Sequence, residues 1–575
     1  MISHLTPDVW AVVNRALVRK ALAEFAHERI LTPVAVDNGF AVYGYRFAAR
    51  LYPLNHWEID ASSIVRDDGG PIDALDFITS FHQRLGIGAE MLPVYLEEIS
   101  STLASAAYKL SKPELTATDL VTADFQVIEA AMTEGHPCFV ANNGRLGFGV
   151  SDYLAYAPET GAAVQLTWIA TRRDRTTVAH SNTLTYEELL RVELGDEVLK
   201  RFAAEIVAVG ADPADYVYLP VHPWQWKNKT SITFAADIAQ RHIIYVGSTD
   251  DVYQPQQSIR TFFNRSQPAR CYVKTALSVL NMGFMRGLSP SYMAATPAIN
   301  DWVHSVVSND VVLKRYGFSV LREIAAAGYH NRYYENATDK TSPYRKMLSA
   351  LWRESPVPSL EPGERLATMA SLLHVDRHGA SLAAALVRAS GLAPADWLRA
   401  YVDAYLIPLL HSFYAYELVF MPHGENLILV LRDEIPIRVI MKDIAEEIAV
   451  LSPSTPIPAA AERVRAEVPD DEKLLSIFTD IFDCIFRFLS PLLDREGLLM
   501  PDEFWSVVAE AVRDYQAATP ELAEAFAKYD MFTPSFALSC LNRLQLRNNQ
   551  QMVDLTDVAG SLQFAGTLEN PLACG

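Results

Sequence analysis

The sequence predicts a mixed α+β protein built from several domains. The chain has 575 residues and half of them are hydrophobic, which is enough for more than one buried core. Apolar residues recur at helical spacing in several long segments. Extended runs at 164–171, 216–221 and 242–247 predict strands in the middle of the chain. At about 100–200 residues per domain, three to four domains are expected.

The first predicted helix spans residues 7–27. Thr6 suits the N-cap and Pro7 suits the first helical position. Apolar residues then recur at near-helical spacing, at Trp10, Val13, Leu17 and Phe25. Short strands are expected over 32–65, and helices return over 73–111.

The second half of the chain is predicted to be mainly helical. The predicted helices are 299–327, 364–391, 395–418, 471–496, 501–517 and 520–529. Two proline-rich stretches, 356–362 and 453–458, interrupt this pattern. These shifts place domain boundaries near residues 170 and 390.

Charge and cysteine content disfavour several classes of protein. The formal net charge of −20 argues against nucleic-acid binding, although local basic clusters can still bind an anionic small molecule. The chain has five cysteines, an odd number, which are widely spaced and include no CxxC pair. This pattern disfavours a disulfide framework or a zinc site, so a location in a reducing compartment, the cytoplasm, is expected. No signal-peptide pattern and no apolar run of about 18 residues is visible, so no membrane segment is expected.

A first predicted hairpin spans 256–277 and brings basic side chains together. A turn centred near residue 267 would place Arg260 opposite Lys274, and Ser258 opposite Ala276. Like charges that face each other directly are destabilising, and a bound anion such as phosphate would remove the conflict. The alternative is a solvated strand face with two ordinary cations.

A second predicted hairpin gathers oxygen atoms suited to a cation. With its turn centred between residues 434 and 435, Asn426 falls opposite Asp443, and Glu425 and His423 lie beside them. Carboxylate and amide oxygens suit magnesium, which takes its remaining ligands from nucleotide phosphates and water. The alternative is a polar hairpin end with internal hydrogen bonds.

Together the two hairpins predict an ATP-using enzyme. They supply cations for phosphate and oxygen atoms for a divalent metal, and such enzymes depend on positioning and electrostatics. The sequence contains no P-loop motif and no glycine-rich dinucleotide motif, so the nucleotide fold is a less common one.

At these residues the sequence resembles the NRPS-independent siderophore synthetases, the IucA/IucC-like family. The similarity consists of many short segments in the family's order and spacing. In chain order these are Glu134-Gly135-His136-Pro137, His222-Pro223-Trp224-Gln225, Ser258-x-Arg260-Thr261 with Lys274, Met282-Gly283-x-x-Arg286-Gly287, His423-Gly424-x-Asn426 with Asp443, and Leu541-Asn542-Arg543-Leu544 with Ser561-Leu562-Gln563-Phe564.

The resemblance implies a fold like a cupped hand and a two-step reaction. Its three parts would be a thumb (1–170), fingers (171–390) and a palm (391–575), in a homodimer. ATP would adenylate a carboxylate, and an amine or an alcohol would then attack the activated acyl group.

The resemblance also implies roles for single residues. The ATP-binding residues would be Ser258, Arg260, Thr261, Lys274, His423 and Asn426. Asp443 and Asn426 would hold Mg²⁺, and Glu425 would replace a carboxylate that many members carry where this chain has Met421. Arg260 and Lys274 would balance the charge that builds on the phosphate, and Arg286 would lie beside the acyl group.

Two departures from the family pattern bear on the substrate. Citrate-using members commonly carry a histidine and a lysine where this chain has Phe139 and Asn143, which suit a less charged substrate. The sequence therefore resembles the subgroup that makes desferrioxamine, putrebactin, bisucaberin or alcaligin, by joining and cyclising N-hydroxy-N-succinyl derivatives of cadaverine or putrescine. The candidate residues for contact with this hydroxamate substrate are Asn143, Arg145, Arg286 and Arg543.

Three alternatives stay open at this point. A citrate-using synthetase of the same family differs only in substrate. A kinase-like phosphotransferase would use a similar constellation of charges but release ADP rather than pyrophosphate. A siderophore-binding protein without chemistry would not respond to the removal of ATP.

Overall fold

The computed structural model describes residues 2–113, 115–132, 134–547 and 563–574. It confirms the α+β fold, and its buried apolar residues form three large hydrophobic cores. Within the described ranges, no helix is long and apolar enough to cross a membrane. Ser561 and Leu562, which belong to the C-terminal similarity, lie outside the described residues.

The N-terminal core is built by helices that pack on short strands. Helix Pro7–His27 is confirmed, and the Thr6 side chain accepts a hydrogen bond from the Val9 amide at 3.4 Å. Its apolar face packs on two further helices and on the strand His56–Ile59. The other helices of this region are Ala74–Phe81, Leu92–Ser111, Ala117–Val121, Phe125–Ala131 and Val150–Tyr156. The other strands are Val34–Val36, Gly39–Val42, Tyr45–Phe47, Ala49–Tyr52, Val65–Arg66 and Arg145–Leu146.

The middle core lies between two antiparallel sheets. The three predicted extended runs are confirmed as one sheet, in the order Tyr216–Val221, Thr167–Arg172, Ile243–Ser248. The second sheet has the order Tyr253–Pro255, Thr261–Asn264, Tyr272–Thr275, Ser349–Arg353, Glu323–Tyr329, Thr176–His180. Helices Tyr186–Leu194 and Asp196–Ala208 pack here, and the first predicted hairpin forms part of the larger sheet.

The third core surrounds the long helix Pro394–Tyr416, which confirms the helix predicted over 395–418. This helix packs against a four-stranded sheet that contains the second predicted hairpin. The order of that sheet is Ser319–Val320, Ile435–Met441, Leu427–Arg432, Glu364–Thr368. Around it lie helices Thr296–Asn309, Val311–Arg315, Leu382–Ser390, Phe478–Phe486, Arg487–Arg495, Pro501–Ala518 and Ala523–Lys528, and the strand pairs Leu418–Phe420 with Ile448–Val450 and Ser535–Ser539 with Phe564–Glu569. Helix Leu541–Arg547 instead contributes Leu546 to the N-terminal core.

Two predicted helices are wrong over part of their length. Residues 323–329 form a strand rather than the end of a helix over 299–327, because the alanine run 325–327 pairs with the strand Ser349–Arg353. The small alanines leave room for Trp352 in the core, so packing overrides their helical propensity. The predicted helix over 364–391 likewise begins with the strand Glu364–Thr368.

The third core also includes residues from before position 390. Ile299, Val303 and Phe318 pack in it, as do Leu382 and Leu386. The domain boundaries near 170 and 390 remain predictions, and the sheet that carries the second hairpin draws strands from both sides of residue 390.

Candidate functional site

The first hairpin forms, but its register is one residue from the predicted one. Thr261 lies opposite Lys274, so the prediction that Arg260 faces Lys274 is wrong. The strand begins only at Thr261, and the amide of Thr275 donates to the carbonyl of Arg260 at 2.9 Å. A shift of one residue moves a side chain to the other face of a sheet.

Ser258 lies in a turn before the strand, so its predicted position opposite Ala276 is also wrong. Ile259 has a φ of 58°, and the Ser258 hydroxyl accepts from the Thr261 amide at 3.2 Å. The Gln257 amide donates to the buried Glu129 carboxylate at 3.2 Å, which ties this turn to helix Phe125–Ala131. The turn places the hydroxyls of Ser258 and Thr261 2.9 Å apart at the start of the hairpin.

Arg260 and Lys274 nevertheless converge, on carboxylates rather than on each other. The Lys274 ammonium bonds to Glu446 and to Asp443, the latter at 2.6 Å. An Arg260 guanidinium nitrogen lies 3.5 Å from Glu446. Burial lowers the pKa of Lys274, but the charges of Asp443 and Glu446 outweigh it and the pKa is raised. Acidic side chains thus occupy the position between the cations where the sequence predicts an anion.

The second hairpin is also shifted by one residue. Asn426 pairs with Lys442, whose amide donates to the Asn426 carbonyl at 2.9 Å, so the predicted pairing of Asn426 with Asp443 is wrong. An irregularity at residues 430–431 changes the register along the strands. Asp443 follows the strand in a left-handed conformation, with a φ of 61°.

Asp443 is the centre of a buried charge cluster. It accepts hydrogen bonds from Lys274 and from Arg353, and Arg353 also donates to Glu323 at 2.9 Å. The Lys274, Arg353 and Glu323 side chains are at most 3% exposed. Burial alone would raise the pKa of Asp443, but Arg353 and Lys274 hold it well below its usual range.

Two acidic residues of this site, Glu446 and Glu447, are missing from the sequence prediction. Glu447 accepts a hydrogen bond from the Asn426 amide group and lies 4.0 Å from His423. Burial and the charge of Asp443 raise the pKa of Glu447 to about 8. The sequence feature that could have predicted them is the grouping of three acidic residues within 443–447, directly after a buried strand.

The loop that carries His423 and Glu425 depends on close backbone packing. The Glu425 amide donates to His423 Nδ1 at 3.3 Å, and burial lowers the pKa of His423 to about 4. The His423 ring lies 5.6 Å from the ring of His136. A Cβ on Gly424 would lie 2.8 Å from the Ala370 Cα, so this loop requires glycine.

Arg286 lies close to the first hairpin, as the sequence suggests. One guanidinium nitrogen donates to the Asn281 carbonyl at 3.0 Å, and Arg260 donates to the neighbouring Gly287 carbonyl at 2.8 Å. Burial and the charge of Arg260 lower the pKa of Arg286 to about 10. Its role beside the acyl group stays a prediction.

The other predicted substrate residues are buried or held by protein groups. Arg145 makes two hydrogen bonds to Glu159, at 2.7 and 2.9 Å, and both side chains are 2% exposed. Arg543 donates to the Glu28 carbonyl at 3.1 Å, and Asn143 is buried. Their contacts with substrate stay predictions.

Protein side chains alone do not complete a metal centre in the described part of the chain. No group of three or more His, Cys, Asp or Glu residues there is placed to hold a metal ion. A cation bound by Asp443 and its neighbours would therefore need further oxygen ligands from asparagine, phosphate or water. Mg²⁺ is usually coordinated in this way in proteins.

Comparisons with known proteins show which proteins this chain is similar to. A family model described as the IucA / IucC family matches residues 124–374, and one described as a ferric iron reductase FhuF-like transporter matches 395–554. Putrebactin synthase of Shewanella sp. (strain MR-4) is 52% identical, over 99% of this chain and 92% of that protein. Rhizobactin siderophore biosynthesis protein RhbF of Rhizobium meliloti (strain 1021) is 32% identical, over 98% of this chain and 96% of that protein. The structure of aerobactin synthetase IucC from a hypervirulent pathotype of Klebsiella pneumoniae superimposes with a TM-score of 0.87 at 28% identity, covering 99% of each chain.

Proposed function

Because the chain belongs to the IucA/IucC family, we propose that it is an ATP-dependent hydroxamate siderophore synthetase. It would activate the succinyl carboxylate of an N-hydroxy-N-succinyl diamine, of the putrescine or cadaverine type, and join it to a primary amine. Repeated cycles would lengthen the product, and attack by its own amine would close a ring. Ring closure is favoured once the ends meet, because the reaction becomes intramolecular.

The observation that carries this proposal is the apolar and aromatic packing of Phe139, at a position where citrate-using members commonly carry a histidine. The Phe139 side chain is buried, and its ring lies 5.0 Å from that of His136 and 6.3 Å from that of Phe284. Burial lowers the pKa of His136 well below its usual range, so this imidazole is neutral. Arg145 is neutralised by Glu159. Such surroundings suit a monocarboxylate better than citrate.

The two hairpins support ATP as the activating co-substrate, which supplies the adenylyl group. Arg260 and Lys274 would balance phosphate charge, and the hydroxyls of Ser258 and Thr261 would donate to phosphate oxygens. His423 and Asn426 would complete the nucleotide site from the second hairpin.

The acidic residues fit a magnesium ion. The raised pKa of Glu447 arises from burial and from the charge of Asp443, a repulsion that a divalent cation would relieve. Asp443, Glu447 and the amide oxygen of Asn426 would hold the ion, which would screen the phosphates. In this set Glu447 stands in place of Glu425, which is the third ligand predicted from the sequence.

A product assay tests the proposed function. The protein is incubated with ATP and Mg²⁺ and with N-hydroxy-N-succinylcadaverine, its putrescine counterpart or citrate, and pyrophosphate and amide products are measured. We expect pyrophosphate, AMP and linear or cyclic amides with the hydroxamates. Pyrophosphate with citrate alone would overturn the substrate assignment, and ADP would indicate a phosphotransferase. Light scattering of the same sample tests the homodimer, which is part of this proposal.

Gly424→Ala is expected to weaken ATP binding by at least about tenfold, which corresponds to about 1.4 kcal/mol. The added Cβ would meet the Ala370 backbone and displace the loop between His423 and Asn426. Calorimetric titration with ATP and Mg²⁺ measures the effect. Gly88→Ala is the control, since a Cβ there meets nothing within 4 Å. Equal affinity in the wild type and Gly424→Ala would contradict a nucleotide site at this loop.

A further inference from the structure

A cavity of about 460 Å³ lies between the N-terminal helix and the third core, and reaches the loop that carries Glu425. Its walls come from helix Pro7–His27, the strand His56–Ile59 and helices Phe478–Phe486 and Arg487–Arg495. The apolar part of the lining includes Ala23, Trp57, Met132, Ile485, Phe488 and Leu492. A cavity of this size, with apolar walls and a few charged groups, is typical of a small-molecule site.

Most charged residues that line this cavity are neutralised by protein partners. The ion pairs are Lys20 with Glu134 at 3.2 Å, Glu24 with Arg487 at 2.9 Å, and Glu58 with Arg495 at 3.1 Å. Asp60 accepts hydrogen bonds from the amide and the hydroxyl of Ser62, in its own turn. Because these charges are already paired, they would attract a charged ligand only weakly.

Two lining charges are different: Arg19 on the helix and Glu425 on the loop. In the ranges that the structure describes, neither side chain makes a hydrogen bond or an ion pair, although both are partly buried. The Arg19 guanidinium acts on Glu58 and Glu134 only from beyond contact distance. A partly buried charge without a partner is costly, and a ligand of opposite charge would remove that cost.

We propose that this cavity binds the acceptor substrate of the condensation, an alkyl chain with an ammonium group at one end and a carboxylate at the other. The ammonium group would pair with Glu425 and the carboxylate with Arg19, while the apolar walls hold the chain between them. This proposal rests on the proposed function, since an N-hydroxy-N-succinyl diamine is such a zwitterion. It also gives Glu425 a role other than the predicted one of metal ligand.

The position of Glu425 would bring the acceptor amine close to the reacting acyl group. Its loop neighbours His423 and Asn426 belong to the proposed nucleotide site, and Arg286, the candidate for the acyl group, lies within electrostatic reach of Glu425. The amine would therefore enter beside the activated acyl group. The carboxylate held at Arg19 would be kept away from ATP. A molecule bound as the acceptor would therefore not be activated as the donor.

The test separates activation from condensation. Activation is followed as exchange of labelled pyrophosphate into ATP with N-hydroxy-N-succinylpentylamine, a donor without an amine. Condensation is followed as amide formation from this donor with two acceptors, N-hydroxy-N-succinylcadaverine and its N-acetyl counterpart, which lacks the carboxylate. We expect Glu425→Gln to raise the KM for both acceptors by about tenfold or more and to leave exchange within about twofold. We expect the wild type to prefer the succinyl acceptor and Arg19→Gln to lose that preference.

Glu97→Gln, which changes an exposed carboxylate, is the matched control and should leave both assays unchanged. Loss of exchange in Glu425→Gln would assign Glu425 to the nucleotide or metal site and overturn the proposal. A succinyl preference that survives in Arg19→Gln would also overturn it. If the wild type shows no exchange with any hydroxamate donor, the proposed function fails. Calorimetric titration of the succinyl acceptor into the wild type and Arg19→Gln then still tests the cavity. Weaker binding by Arg19→Gln would support binding of the acceptor there, and equal affinity would overturn it.

Discussion

Asp443→Asn is expected to reduce ATP-dependent amide formation by about 10²–10³-fold and to lower the free energy of unfolding by about 3–5 kcal/mol. The substitution keeps the size of the side chain but removes the charge that Lys274 and Arg353 share. Both cations are at most 3% exposed and would be left without that carboxylate. The same change removes a proposed magnesium ligand, so binding of ATP with Mg²⁺ should weaken as well.

Pyrophosphate release and urea unfolding measure the two effects of Asp443→Asn separately. Asp433→Asn is the matched control at the exposed tip of the same hairpin, where the residue has a φ of 51° that asparagine tolerates. The control should keep wild-type activity and stability. Near-wild-type activity in Asp443→Asn would show that this carboxylate serves the fold alone, and unchanged stability would contradict the charge cluster.

The sequence predicts both hairpins and most of their residues, but misses both registers by one residue. In the first hairpin the strand pairs centre the turn between residues 267 and 268 rather than on residue 267, and the left-handed Ile259 keeps Ser258 out of the strand. In the second, the turn is centred between residues 433 and 434, one residue before the assumed centre, and the irregularity at 430–431 corrects only part of the resulting shift. Alternation of apolar residues does not reveal either feature, since both depend on packing around the strand ends. A symmetric turn is the simplest assumption, and here it places side chains on the wrong face.

The composition of the site is predicted better than its internal contacts. The structure brings Arg260, Lys274 and Asp443 together, as the sequence indicates. It also adds Arg353, which lies 90 residues before Asp443 in the chain. The strand Ser349–Arg353 pairs with Tyr272–Thr275, which brings Arg353 close to Lys274 and so to the carboxylate that both bind. Motif spacing carries no information about that pairing, so the neutralisation of the cations could not be foreseen.

Arg487→Met is expected to lower the free energy of unfolding by about 3–5 kcal/mol, because it breaks a buried ionic link between the N-terminal helix and the third core. Arg487 is 1% exposed and pairs with Glu24 at 2.9 Å and with Asp483 at 2.8 Å. Without the guanidinium, both carboxylates would stay buried with less compensation, although His27 still lies 3.1 Å from Asp483. Urea unfolding of the wild type and the variant measures the difference.

The double variant Glu24→Leu with Arg487→Met separates the cost of an unpaired charge from the value of the ion pair. Replacing a buried ion pair by apolar side chains of similar volume is often neutral or stabilising, so the double variant should be more stable than Arg487→Met alone. Equal loss in both variants would show that packing around Arg487, rather than charge, joins the N-terminal helix to the third core. Since Glu24 also lines the proposed acceptor cavity, recovered stability with a raised acceptor KM would indicate that the ion pair is retained to shape the cavity rather than to stabilise the fold.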